Sequence, residues 1–203
     1  MVVRARRRHT NAMNTRTPLI SVALFCISSL ALSETPAEMH TPVYDKDQLV
    51  LPANYREWVF LSAGFDMSYS PVASPGHHMF DNVFAEPLAY KSFLQAGTWP
   101  DKTLLVLEQR GARGKGSINQ HGNYQDGAVM GLEVHVKDVA RFEGGWAFFQ
   151  FDGKTTGKLV PHTEDCYSCH ASHAAVDTTF VQFYPTLLPL AKSKGTLSKS
   201  YQP

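Results

Sequence analysis

The sequence predicts an α+β domain: an antiparallel β-sheet with flanking helices, and a C-terminal helix carrying a Cys-x-x-Cys-His motif. Three observations predict it. Met130, Leu132, Val134 and Val136 alternate with Gly131, Glu133 and His135, the period of a strand with one buried face. Glu86-Pro87, then LAYKSFLQA and Gly97, reads as a helix with proline near its start and glycine as its stop. The remaining apolar segments are short and strand-like, so strands dominate the order and a helix bundle is excluded.

The elements follow in chain order. Arg4, Arg6, Arg7, Arg8 and Arg16 precede an apolar run from Pro18 to Leu32 that stops at a small-x-small pattern before Glu34. A basic end, a short apolar core and such a stop make residues 1–33 a secretory signal peptide, and a start at Met13 preserves the pattern. A retained N-terminal anchor is the alternative. Residues 34–47 are polar and read as a flexible mature N-terminus. Strands are expected at 57–65, 78–85, 103–109, 129–137 and 146–152. The stretch 111–127 holds five glycines without phosphate-loop spacing, and reads as a long surface hairpin. Residues 165–176 should be helical, and 191–203 form a flexible tail.

Removing the leader leaves about 170 residues, enough for one domain with a real core. It also removes five arginines and leaves a slightly acidic chain. No block of like charge then remains to suggest nucleic acid or a membrane surface. The mature chain keeps two cysteines, both inside CYSCHASH at 166–173. A disulfide across so small a gap would contribute little framework, so in an exported protein the pair points to chemistry or a ligand.

Three readings compete for that motif. With 3 Cys and 9 His in 203 residues, chance would produce C-x-x-C-H only about 0.002 times. A redox dithiol is expected early, after a strand and at a helix start that lowers a thiol pKa; here the motif lies near the C-terminal end. A structural zinc ordinarily draws ligands from two separated segments. Covalent haem c needs nothing further. Cys166 and Cys169, one helical turn apart, would each form a thioether, and His170 would be the proximal ligand of the iron.

The segments NYREWVF (54–60), FDNVFAEPLAY (80–90), GTWPDKT (97–103), KGSIN (115–119), GLEVHVKD (131–138), RFEGGWAFFQFD (141–152) and CYSCHASHAAVDTTFVQFYPTL (166–187) together closely resemble the cytochrome P-460 family. That family includes the β-sheet cytochromes c prime, and the resemblance spans about 48–190. It implies one covalent haem c, His170 as iron ligand, an open distal side and a homodimer. Family enzymes that oxidise hydroxylamine carry a lysine cross-linked to the haem, and the matching position here is Leu107, which cannot make that bond. Leu107, Phe80 and Phe84 are the candidate distal wall, with the two phenylalanines equally readable as ordinary core.

Among the other histidines, His173 shares a helix face with His170 and is a candidate for a haem propionate or an outer partner. His77-His78 could supply a sixth ligand. His121 and His162 read as exposed, and His135 lies on the face of its strand opposite the apolar stripe. Asp81, Glu108 and Glu133 are candidate proton acceptors. The expectation is a periplasmic or secreted mono-haem cytochrome that binds nitric oxide or a related nitrogen-oxide ligand and meets a soluble redox partner, without nucleic acid or a stable membrane anchor. Two alternatives stay open: a hydroxylamine-oxidising enzyme and a low-spin electron carrier.

Overall fold

The computed structural model describes residues 38–67, 78–116 and 118–202. The leader assignment, and His77, lie outside the described residues. An eight-stranded antiparallel sheet organises the domain. Its strands are β1 Tyr44–Asp45, β2 Gln48–Val50, β3 Val59–Phe65, β4 Met79–Ala85, β5 Leu104–Gly114, β6 Asn123–Lys137, β7 Trp146–Phe151 and β8 Thr156–Leu159. They lie side by side in the order β1-β2-β8-β7-β6-β5-β4-β3. Neighbours in space are therefore mostly neighbours in sequence, with a helix inserted between β4 and β5. The exception is β2, which crosses to pair with β8.

All five strands expected from the sequence are present, with β5 and β6 longer than their apolar cores. Their ladder runs into the glycine-rich stretch, where Ala112 faces Gln125 and Gly114 faces Asn123. Irregular register between Gln109 and Ala112 marks where the apolar alternation gives way, as expected of a bulge that bends a strand. β1, β2 and β8 are too short to leave a period in the sequence. Tyr44–Asp45 thus belongs to the sheet, within a stretch expected to be loose.

Helix α1 spans Pro87–Ala96. The Glu86 carboxylate accepts a hydrogen bond from the Ala89 N–H at 2.7 Å, satisfying one of the unpaired donors of the first turn. Gly97 closes the helix at φ 76°, a left-handed conformation that a side chain disfavours. Helix α2 is Asp165–His173 and α3 is Leu188–Lys194. The Cys-x-x-Cys-His motif therefore sits on α2, with α3 following it, and the expected helix over 165–176 ends three residues early. Ala174, Ala175 and Val176 are instead fully buried extended chain. The tail also differs from expectation. Ala191 is buried, the Thr196 hydroxyl donates to the Gly97 carbonyl at 2.7 Å, and the Ser198 N–H reaches the Ala175 carbonyl at 2.8 Å.

The two faces of the sheet carry separate cores. One buries Leu49, Tyr55, Trp58, Val106, Val134, Val136 and Phe149 beneath the N-terminal strands. The other joins Leu105 and Trp146 to Ala89, Phe93, Trp99, Val181, Leu187 and Ala191 from the helical layer. Burying such side chains stabilises by roughly 1.5–3 kcal/mol each relative to exposure. Among the described residues, no helix is long and apolar enough to cross a membrane.

Candidate functional site

On helix α2, residues three and four apart share a face, so Cys166, Cys169 and His170 point the same way. This helix buries none of its residues fully, so a few specific contacts seat it. Tyr167 supplies one: its hydroxyl accepts the Phe148 N–H at 3.3 Å and donates to the Val160 carbonyl at 3.1 Å. It thereby bridges β7 to the chain just after β8. His170 supplies another, with its ring 4.1 Å from Phe180 and 4.6 Å from Phe148 between centroids.

His170 lines a cavity of about 240 Å³ between the sheet and the 178–184 segment. Its Nδ1 lies 2.6 Å from the Thr178 carbonyl oxygen, which makes Nδ1 the protonated nitrogen and leaves Nε2 as a lone-pair donor. That division of roles is the one a metal-ligating imidazole requires. Burial pushes the His170 pKa down, opposed by the Thr178 carbonyl, so the neutral ring that ligation needs is the resting form.

The sheet side of the cavity is built by alternation. Ser62 and Gly64 of β3, Asp81 and Val83 of β4, Leu105, Leu107 and Gln109 of β5, and Glu133 and His135 of β6 all face it. Leu107 therefore stands in the wall, directly across the ladder from Glu133. Among the described residues, no lysine lines the cavity. Lys102 pairs with Asp138 instead, and Lys91 is exposed on α1.

Phe80 and Phe84 require correction. Val83 and Asp81 take the cavity face of β4, so the period of two turns both phenylalanines to the opposite face. There Phe84 packs edge-on against Tyr55 and Phe60, and Phe80 against Phe65. His173 does not line the cavity either; it borders a second pocket with Gln182, Phe183 and Tyr201. His78 pairs with Asp66 at 2.5 Å and stacks on Phe65, away from the cavity lining. His162 stacks against Tyr167 with centroids 4.3 Å apart.

Of the three acids singled out, two reach the cavity. Asp81 is pushed up by burial, against a hydrogen bond from Gln109 Nε2 at 3.1 Å. Glu133 is pushed up by burial and then by the charge of Asp81. Glu108 belongs to the other face, where Arg56, Arg110 and Tyr55 surround it. His135, expected on the Glu133 face, is there, stacked on Phe148 at 4.0 Å and edge-on to His170 at 5.2 Å. Burial, and then His170, push its pKa well below the ordinary imidazole value.

The thiols weigh on the choice of chemistry. Burial pushes both Cys166 and Cys169 up, whereas a redox dithiol works with a depressed thiol pKa. No group of three His, Cys, Asp or Glu side chains that could hold a metal ion is assembled among the described residues, so the zinc reading lacks a ligand set. A neutral imidazole at the edge of a cavity walled by both apolar and polar side chains, with two thiols on the same helix face, is a donor set that fits a haem group. The family model for cytochrome P460 matches residues 52–181. The chain belongs to the cytochrome P460 family. Haem is the cofactor that this membership implies. No curated protein matches the chain.

Phe148, Phe180 and Met67 line the cavity, Thr178 supports His170, and the sequence had not singled them out. The carbonyl of Thr178 could not be read from sequence, because a backbone acceptor leaves no residue signature. Phe148 stands opposite His135 in the β6–β7 ladder, a register that only the folded sheet supplies.

Proposed function

We propose that this chain is a mono-haem c-type cytochrome whose iron is held by His170 alone and binds nitric oxide or a related nitrogen-oxide ligand. Cys166 and Cys169 form the two thioethers. The observation that carries the reading is Leu107 in the wall of the cavity that His170 lines, with no lysine among the described residues that line it. A leucine offers neither a ligand to iron nor a bond to the macrocycle. The haem supplies an iron that takes a diatomic ligand; the chain supplies its orientation and a wall that disfavours water. Leu105, Leu107 and Val83 form an apolar stretch of that wall, which offers a water no acceptor on its side and so favours nitric oxide there. The leader supports a periplasmic or secreted protein and family resemblance supports a homodimer; a soluble redox partner completes the reading.

A second reading, hydroxylamine oxidation, draws on Asp81 and Glu133. Both face the cavity, and burial raises both carboxyls above their ordinary values, the direction that makes a carboxylate a better proton acceptor. Absorption spectra of the purified oxidised and reduced protein, followed by nitric oxide titration, test the proposal. A broad high-spin ferrous band and stoichiometric nitric oxide binding are expected. A strongly red-shifted ferrous band with steady hydroxylamine turnover would replace it with the enzyme. Sharp, split bands would show a sixth ligand, for which Met67 at the cavity wall is the residue to substitute.

A further inference from the structure

Residues 177–179 form a tight turn between α2 and the 180–184 segment, closed by the Val176–Thr179 bridge. Asp177 within it has φ 52°, a left-handed conformation that a non-glycine residue keeps only when its surroundings over-determine it. The surroundings do so one residue at a time. Lys137 Nζ donates to the Asp177 carboxylate at 3.1 Å and to the Trp99 carbonyl at 2.8 Å. The Thr178 hydroxyl shares a hydrogen bond with His135 Nε2 at 3.3 Å. Trp99 Nε1 donates to the Thr179 hydroxyl at 2.9 Å, which itself donates to the Val176 carbonyl at 2.8 Å.

His135 and Lys137 are two apart on β6 and so share one face of the sheet. Both belong to the regular ladder with β7, opposite Phe148 and Trp146. His135 is fixed further by stacking on Phe148 with 13° between the rings. The turn is therefore gripped by a rigid strand, and what it presents is the Thr178 carbonyl, 2.6 Å from His170 Nδ1.

We infer that His135 and Lys137 are positioning residues for the iron ligand: through the 177–179 turn they aim the Thr178 carbonyl at His170 and so set the strength of its bond to iron. The inference rests on the haem reading above. It assigns to two β6 side chains a role in tuning the proximal side, although neither would touch the iron. A stronger hydrogen bond from Nδ1–H puts more electron density on the ring and strengthens Nε2 as a ligand. Loosening the turn weakens the hydrogen bond and therefore the iron bond.

The test uses the haem-loaded protein and reads the iron–histidine stretching band of the ferrous form by resonance Raman. Thr178→Val removes the hydroxyl while keeping the carbonyl and nearly the same shape. His135→Phe keeps the ring stack and removes the hydrogen bond, and Lys137→Met removes the grip on Asp177. Each variant is expected to shift the band to lower frequency. Each should also lose the proximal ligand about tenfold faster under excess nitric oxide, the scale of outer-partner effects on metal sites. An unchanged band and unchanged ligand loss in correctly folded Thr178→Val and Lys137→Met would overturn the inference. If the wild-type protein itself shows no such band, the haem reading fails and the inference falls with it.

Discussion

Glu108, buried on β5, and Glu133, half-buried on β6, stand on neighbouring strands one register step apart, and they have opposite fates. Glu108 pairs across the ladder with Leu132, and Glu133 with Leu107, so the two acids emerge on opposite faces of one sheet. Glu108 is 2% exposed and meets two guanidinium groups and a phenol. Burial pushes its carboxyl up, but hydrogen bonds from Arg110, Tyr55 and Arg56 outweigh that and hold it below the usual range. Glu133 meets the cavity and Asp81, so burial and like charge both push it up. Depth alone therefore does not decide what a buried acid does; the charges that face it do. One carboxylate is neutralised by an arginine cluster, and the other faces the cavity with its proton held more tightly than usual.

The largest break in that comparison comes from Glu108→Ala. It strands Arg110, whose side chain is 19% exposed, and should cost about 3 kcal/mol, the lower end for removing one partner of a buried pair. Arg56 is half exposed and recovers water, which sets the lower end. Urea unfolding at neutral pH measures it. Tyr55→Phe removes one donor to the same carboxylate and should cost about 1.5 kcal/mol, as for a hydrogen bond to a charged group. Equilibrium unfolding in the same series would show the ordering.

Glu133→Gln should act in the other direction and be the smallest effect. A raised folded pKa means that the native state binds a proton more tightly than the unfolded chain, so ionised Glu133 opposes folding at neutral pH. The glutamine variant should melt higher at pH 7, and its advantage should vanish as pH falls through the raised value toward 4.5. For Glu108 the sign reverses. Its stabilisation is present above the unfolded value of 4.5 and is lost as pH falls through its lowered folded pKa. Thermal midpoints of both variants across pH 3–8 would separate the two acids; parallel pH profiles would erase the distinction.

Much of this architecture was legible beforehand. Five strands announced themselves through period-two alternation or short aromatic runs, and α1 through Glu86-Pro87 and Gly97, because both signals are local. The acids were not separable. Glu108 and Glu133 both stand in apolar strand sequence, and nothing near either one says which face holds the arginines. Phe80 and Phe84 failed for the same reason: alternation established that they share a face, and only the position of Val83 and Asp81 at the cavity established which face. The tail after Leu190 looked polar enough to fray, yet Thr196 and Ser198 find backbone carbonyls at Gly97 and Ala175 that lie far away in sequence.

The sequence by itself determined the strand-rich class, the helical seat of Cys166, Cys169 and His170, and the haem-type chemistry that their spacing implies. These are properties of neighbours along the chain, where covalent geometry sets the distances. Only the tertiary structure decided that Leu107 and Glu133 look into one cavity and that Glu108 looks away. It also decided that a turn at 177–179, held by His135 and Lys137, meets His170. Those relations join residues tens of positions apart, and their energies depend on which charges and carbonyls the packed sheet brings within a few ångströms.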